Sequence, residues 1–558
     1  MTTTSATSTT TTTATTFTWS SGVGDMDWDA LVEVSVAAKN VRADTIETEI
    51  SENEVKLAAY EEMQSLLTTL SDAAYALSAP SGTSNSSYDV FNSRAAYTSA
   101  TGDTDADSAV FITVEDGTDT GSFDLTIEQL ATAHKVASAE ASDNTAALGY
   151  DGSFTVQLGD GDSAEISLDS DMTLDDIAEA INAQSYLTNV RASVVKVSDD
   201  SYQLVIYGTE TGQDLTLTAA SGDDVLTGIG VLDGSGGIAD ELQAAQNAII
   251  TYDGITVTRT SNEIDDLIDG VTLNLYEATG EDTITVEVSQ NVDEIKDAII
   301  ALAEAYNAYR EWALTQQETS SAGGASSGAA LFGDSTLRSV NSQIASALGT
   351  FIDSESMALL GLSYDSSNML VLDEDVLNEA LLNDLDAVTS LLSFQMEASS
   401  ADLSLLSHSN NGNLDFTLDI TSDGEGNLSV SVDGDSSLFT VSGTRIKGAE
   451  GSIYEGLTFV YLGDGDESID VSVTSGIAEA LYASADAAAN TLDGNLQTII
   501  DNLGDENSTL QTKADDIRSR SETYREFLTE KYAKYQAAIE EAETQLAYLE
   551  ALLEESSN

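Results

Sequence analysis

Between Leu510 and Leu553 apolar side chains recur every three or four residues, and this periodicity constrains the fold more than any other feature of the chain. Leu510, Ala514, Ile517, Tyr524, Leu528, Tyr532, Tyr535, Ile539, Ala542, Leu546, Leu549 and Leu553 share one helical face, with Ser521 as its polar member. A stripe this narrow on a charged background is the seam of a helix packed on another helix. A helix of about 44 residues is ~66 Å long at 1.5 Å per residue, too long for one globular core. It demands a partner of similar length.

The other end of the sequence supplies that partner. No Gly or Pro interrupts Asp27 to Leu77, where Leu31, Val34, Ala38 and Val41 form one apolar stretch. Leu57, Tyr60, Met63, Leu67, Leu70, Ala74 and Leu77 form a second, with Thr45, Glu49 and Asn53 weakening the stripe between them. Pro80, the one proline of the chain, stands just past this helix, where a stop is expected. The two terminal segments are expected to pair as a helical stalk, with everything between them inserted.

The middle is rich in strands and in Asp-Gly turns. Alternation marks Phe154–Leu158, Val194–Val197, Gln203–Tyr207 and Leu215–Leu217, and one short helix follows the cap-like Thr173. Helical spacing returns at Ile295, Ile299, Leu302, Tyr306, Tyr309 and Trp312. Gly270–Tyr276 with Asp282–Val288 parallels Gly456–Leu462 with Glu467–Val473, which suggests a duplicated β module. The expected fold class is α+β. Terminal helices pair in a coiled-coil or helix-bundle leg, and antiparallel β-rich head domains are inserted. The expected boundaries are a disordered Thr/Ser-rich start at 1–26 and an N-terminal stalk helix at 27–78. A head β domain follows in two parts (79–145 and 244–290) around an inserted outer β domain (146–243). Then come a helical bundle (291–408), an inserted β module (409–475) and C-terminal stalk helices (476–558).

Composition narrows the function. The chain has 558 residues, no Cys, and 97 acidic against 19 basic residues, for a net charge of -78. Without Cys there is no disulfide, thiolate metal site or cysteine nucleophile. So acidic a surface repels nucleic acid and anionic membranes. It is the surface expected of a protein adapted to salty water. No run of ~20 apolar residues is present to span a membrane. Met1–Thr16 lacks the basic and apolar regions of a secretory signal peptide. A Ser–His–Asp triad would need His134 or His408, and neither sits in a recognisable catalytic context. Asp103-x-Asp105-x-Asp107 starts like a calcium loop but has Ser108 and Val114 where Gly and Glu are required. The Gly-Asp-Gly-Asp segments at Gly159–Asp162 and Gly463–Asp466 suit hairpin turns. The chain is therefore not expected to be an enzyme, and no cofactor or metal is expected.

Several blocks resemble one family in that family's order. Ser21–Glu33 is similar to the opening motif of the FliD family of flagellar filament caps, the hook-associated proteins 2. Phe123–Lys135 resembles its next block. Ala244–Asn247, Tyr252–Val257, Ser261–Asn262 and Leu267–Leu273 resemble the closing segment of the head, and Leu331–Arg338 with Leu360–Leu362 the return into the stalk. Gly152–Asn182 is similar to a module shared among flagellar caps and flagellins. The 409–475 insertion and the extreme acidity depart from the pattern.

The resemblance implies a secreted structural protein of the bacterial flagellum tip, exported without a cleaved signal peptide. It implies a homo-oligomeric, pentamer-like ring that promotes flagellin folding and polymerisation and prevents leakage of exported subunits. Implied partners are flagellin, the hook–filament junction proteins and the export apparatus or its chaperone, with neither nucleic acid nor membrane insertion. The alternatives are another axial protein, such as a flagellin or junction protein, or a β-rich surface adhesin. Residues expected to meet the filament or a neighbouring subunit are Trp19, Trp28, Leu31, Val34, Tyr535, Ile539, Leu546, Leu549 and Leu553. For the aromatics at the N-terminus, burial on the C-terminal helix is the competing reading.

Overall fold

The computed structural model describes residues 27–78, 89–409, 412–422 and 427–556. The Thr/Ser-rich start, Phe17, Trp19 and Pro80 lie outside them. Two compact units result. One draws on Met1–Ser71, Ala305–Ser346 and Ala483–Asn558, the other on Asp72–Glu304 and Ala347–Tyr482.

The first unit is helical. Helix α1 (Trp28–Ala76) runs for 49 residues, as its freedom from Gly and Pro allows. Its long partner at the other end of the chain, Asn495–Ser556, has 62 residues and is ~93 Å long. Three further helices, Val292–Thr315, Ser335–Leu348 and Ile477–Ala489, contribute residues to this unit. Met63, Leu67 and Leu70 of α1 are fully buried, as are Tyr309, Ala313, Ala485 and Leu496 or nearly so. The Tyr60 hydroxyl donates to Asp334 Oδ2 at 2.8 Å, and Gln64 Nε2 donates to Gln497 Oε1 at 3.1 Å.

The second unit is built of strands. Its first sandwich opens with β1 (Arg94–Ala100), α2 (Ala106–Ala109), β2 (Val110–Val114) and β3 (Gly121–Gln129). An outer domain then intervenes. It comprises β4 (Lys135–Ala137), β5 (Gly152–Leu158), β6 (Ser163–Leu168), α3 (Leu174–Ala183), α4 (Ser185–Thr188), β7 (Val190–Ser198), β8 (Ser201–Gly208), β9 (Leu215–Gly222), α5 (Val225–Gly228) and β10 (Glu241–Gln243). Two sheets, β10-β4-β8-β7 and β6-β5-β9, close on Phe154, Val156, Ile177, Ile181, Leu204 and Ile206. Thr173 and Asp176 cap α3 reciprocally, as the Thr-x-x-Asp spacing predicts.

The chain then completes the first sandwich with β11 (Ala248–Tyr252), β12 (Ile255–Arg259), β13 (Glu263–Ile268), β14 (Val271–Leu275) and β15 (Ile284–Gln290). The sheets are β1-β15-β3-β11-β12 and β13-β14-β2, and Leu125, Ile127, Ile250, Leu273 and Val286 fill the space between them. After α6 (Val292–Thr315) and α7 (Ser335–Leu348) come a small hairpin, β16 (Leu362–Tyr364) and β17 (Leu370–Leu372), then α8 (Glu374–Asn383) and α9 (Leu385–Leu392).

A second sandwich follows: β18 (Gln395–Ala398), β19 (Leu403–Ser407), β20 (Leu414–Ser422), β21 (Leu428–Ser431), β22 (Phe439–Ser442), β23 (Arg445–Gly448), β24 (Thr458–Tyr461) and β25 (Glu467–Thr474). Its strands begin at Gln395 rather than near 409. Ser-rich spacing around Leu403 and Leu405 hides their alternation behind the helical run that ends at Leu392. Helices α10 (Ile477–Ala489) and α11 (Asn495–Ser556) close the chain.

Candidate assembly surface

Helices α1 and α11 pair along a seam with two apolar clusters. Ala43, Ile46 and Ile50 pack with Leu510 and Ala514, with Ile517 alongside. Val32 and Val36 pack with Leu528, with Tyr524 and Tyr532 alongside. On α1 the seam follows positions 32, 36, 39, 43, 46, 50 and 53. This is a strict alternation of four and three, the heptad rhythm of coiled-coil packing. The stretch read from sequence, Leu31, Val34, Ala38 and Val41, lies one face away. Leu31 is half-buried, while Val34 and Val41 are exposed at 48% and 60%. Two polar seam residues explain the misreading. The Lys39 ammonium lies 4.2 Å from the centre of the Tyr524 ring. Asn53, buried, donates through Nδ2 to Asn507 Oδ1 at 3.1 Å. Thr45 and Glu49 sit off the seam, so the expected interruption near 45–53 is absent.

Ion pairs flank the seam. Arg518 reaches Asp44 at 2.7 Å and Glu47 at 2.6 Å, and Arg525 pairs with Glu33. The hydrogen bonds from Arg525 hold the Glu33 carboxyl below the usual carboxylate range. Solvated pairs of this kind add little stability, but they match charges along a long interface. Burial of Val32, Val36 and Leu528 contributes more, about 1.5–3 kcal/mol each.

The seam closes on aromatics at the start of α1. Trp28 is half-buried and stacks on Tyr532 with ring centres 5.0 Å apart. It meets Tyr535 edge-on at 6.4 Å. Trp28 is thus packed on the C-terminal helix and half-exposed. Beyond Tyr532, α11 runs on to Ser556, roughly 36 Å farther. Ile539 is half-buried there; Tyr535, Leu546, Leu549 and Leu553 are exposed at 48%, 57%, 55% and 67%. Of the nine expected contact residues, the structure brings Trp28 and Tyr535 to the end of the paired seam, and Leu31 is half-buried one face away. Ile539, Leu546, Leu549 and Leu553 lie on the run beyond it, Val34 stands off the seam, and Trp19 lies outside the described residues. Sequence reasoning missed Lys39, Asn53, Arg518 and Arg525. The heptad phase set by Val32, Val36, Ala43 and Ile46 was the available signal.

The two histidines are structural in their surroundings. His134 Nδ1 accepts the Leu215 N–H at 2.8 Å, which puts the ring hydrogen on Nε2, 3.3 Å from Glu241 Oε1. His408 lies flat on Phe394, ring centres 3.6 Å apart, with Nδ1 3.7 Å from the buried Glu479 Oε1. Burial lowers His408 to about 4 and raises Glu479 to about 7. The contact is too long for a hydrogen bond and burial drives both groups toward their uncharged forms, so between about pH 4 and 7 it is a neutral contact rather than an ion pair. Gly159–Asp162 forms the turn between β5 and β6. In the other acidic segment, Gly465 C=O accepts the Tyr461 hydroxyl and Asp466 accepts the Ser422 N–H.

Similarity to known proteins converges on one family. Residues 245–544 match the model described as flagellar hook-associated protein 2 C-terminus, and residues 24–134 the corresponding N-terminus. Residues 153–210 match the flagellin hook IN motif. Flagellar hook-associated protein 2 of Escherichia coli strain K12 is 31% identical over 391 residues, 67% of this chain and 80% of that protein. The Aeromonas caviae protein of the same name is 24% identical over 392 residues, again 67% and 80%. The crystal structure of the D1-D2-D3 domains of the flagellar cap protein FliD from Escherichia coli shows 22% identity and a TM-score of 0.49, covering 80% of this chain and 99% of that one.

Proposed function

We propose, since this chain belongs to the flagellar hook-associated protein 2 (FliD) family, that it forms a ring of its own copies at the distal tip of a bacterial flagellar filament. There it promotes flagellin folding and polymerisation and prevents exported subunits from leaking away. Flagellin, the hook–filament junction proteins and the export apparatus or its chaperone are the partners this role requires. The chain leaves the cell through the flagellar export route. Its work is mechanical rather than catalytic.

The observation that carries the reading is the run of α11 past its aromatic junction with Trp28. A helix that exposes Leu546 and Leu549 on a narrow stripe offers a surface to a partner helix. An axial filament built from helical subunits supplies such partners. Deleting the gene is expected to leave short or absent filaments and flagellin monomer in the culture medium, both restored by the intact gene. Filaments of normal length with no extra secreted monomer would overturn the proposal.

A further inference from the structure

The second sandwich repeats seven strands of the first; the eighth changes sheet, β12 pairing with β11 where its counterpart β22 pairs with β23. The order β1-β15-β3-β11 recurs as β18-β25-β20-β21, and β13-β14-β2 recurs as β23-β24-β19. The registers repeat too. Ile284 faces Leu125 and Val286 faces Phe123, as Ile469 faces Leu418 and Val471 faces Phe416. Ile250 faces Ile127, as Val430 faces Ile420. Ile264 faces Leu273, as Ile446 faces Phe459. Even the loop bonds correspond. Leu275 N–H donates to Asn262 C=O and Tyr461 N–H to Thr444 C=O, both at 2.9 Å. Asn291 N–H donates to Ser93 C=O and Gly476 N–H to Ser393 C=O, both at 3.1 Å. Asp253-Gly254 and Asp433-Gly434 make the same turn, with positive φ at both residues (45° and 80°, 53° and 80°). The copies part between the third and fourth of these strands. There the first carries the whole outer domain and the second only residues 423–427.

This equivalence exposes a reversal of charge. Ile264 and Ile446 occupy the same place, so Glu263 corresponds to Arg445 and Asp265 to Lys447. All four side chains are exposed, on the solvent face of their sheets. Among the described residues none of the four has an ion-pair partner. Arg445 and Lys447 are the two cations in the sequence 395–474, in a chain where acidic residues outnumber basic ones 97 to 19. Exposed apolar side chains accompany the charges. Phe111, 56% exposed, shares a cross-strand row with Asn274 and Glu263 on the first face. On the second, Arg445 shares one with half-buried Val460, and Leu406 stands exposed on neighbouring β19.

We propose that these two faces bind each other between copies: the Glu263–Asp265 face of the first sandwich of one copy seats on the Arg445–Lys447 face of the second sandwich of the next. Each pair flanks a buried isoleucine, Ile264 or Ile446, and both of its members are exposed; β23 pairs regularly through Lys447, whereas β13 shifts register past Ile264. Two bodies that repel almost everywhere else meet where one carries its scarce cations. The contact is heterologous, since each copy offers one face of each kind, and such contacts generate closed rings when the rotation closes. The inference rests on the reading that copies of the chain form a ring, and it assigns that ring an interface.

Two charge-reversed variants of the full chain test it: Glu263→Lys/Asp265→Lys, and Arg445→Glu/Lys447→Glu. Each alone carries like charges on both faces and is expected to lose self-association by about tenfold or more in sedimentation. An equimolar mixture restores opposite charges at each junction where the two variants alternate, and oligomers are expected to return. Circular dichroism establishes that each variant is folded. A second measurement replaces Asp265 with Cys in one sample and Lys447 with Cys in another; oxidising the mixture is expected to give a covalent dimer that neither gives alone. Oligomers of the unaltered chain that survive either reversal, or variants that the mixture fails to rescue, overturn the interface and leave the ring standing. An unaltered chain that stays monomeric at every salt concentration overturns both.

Discussion

At the scale of single residues, the most consequential pair lies away from the assembly surface, at the root of the second sandwich. Burial raises Glu479 to about 7, so its neutral form stabilises the fold below pH 4.5 and that contribution is lost as pH rises through 7. Burial lowers His408 to about 4, so its neutral form stabilises the fold above pH 6.5 and that contribution is lost as pH falls through 4. Each is worth on the order of 3 kcal/mol at full extent, from about 2.5 pH units. Between pH 4.5 and 6.5 the two slopes oppose and nearly cancel. Glu479→Gln is therefore expected to expose the histidine slope: thermal midpoints fall on acidification from 6.5 to 4, relative to the unaltered chain. His408→Gln is expected to expose the opposite slope, with midpoints falling as pH rises from 4.5 to 7. Taking differences against the unaltered chain removes the general titration of its carboxylates. Parallel pH profiles for all three proteins would show that the pair stays solvated.

At the scale of elements, the helix pair combines tight packing along the seam with an open end. Ala43 and Ala514 are both fully buried in one cluster, so the helices approach closely there. Ala43→Leu is expected to destabilise the pair by about 1–3 kcal/mol through overpacking, seen as a lower thermal midpoint in the helical signal. An unchanged midpoint would mean that the seam yields. Farther along, Leu546→Asp with Leu549→Asp is expected to leave circular dichroism nearly unchanged, since both sites are exposed, while ring formation or filament docking is lost. A double variant that still assembles and caps filaments would remove this stretch from the assembly surface. These elements differ in how far sequence reveals them. The period of α11 is legible because an unbroken stripe over many turns has no other packing solution. The phase of α1 is not, because Lys39 and Asn53 look like solvent positions until Tyr524 and Asn507 are in place. The duplicated pair of strands is legible in Gly-x-Thr and alternating Val, but the full sandwich, which places the two strands in different sheets, is not. Its equivalence lies in register, and the outer domain separates the matching strands of the first copy by more than a hundred residues.

At the scale of the whole molecule, charge decides under which conditions any of these contacts form. A net charge of -78 opposes both compaction and the approach of a second copy. Screening shortens with salt, from about 10 Å at 0.1 M to about 3 Å at 1 M. The specific pairs are few: Arg518 and Arg525 tie the helix pair, and Arg445 and Lys447 mark the inferred interface. Salt weakens these pairs, yet it relieves a repulsion summed over far more carboxylates, so the second effect wins. Self-association and thermal stability are therefore expected to rise together as sodium chloride goes from 0.1 M to 1 M and above. Sedimentation and thermal melts across that series check both. The argument also sets the sign for the variants. Glu263→Lys/Asp265→Lys lowers the negative charge and, through general repulsion alone, would associate more readily than the unaltered chain. If it associates less readily at every salt concentration, a specific contact has outweighed the general field; if it associates more readily, repulsion alone governs assembly and no charged interface is needed.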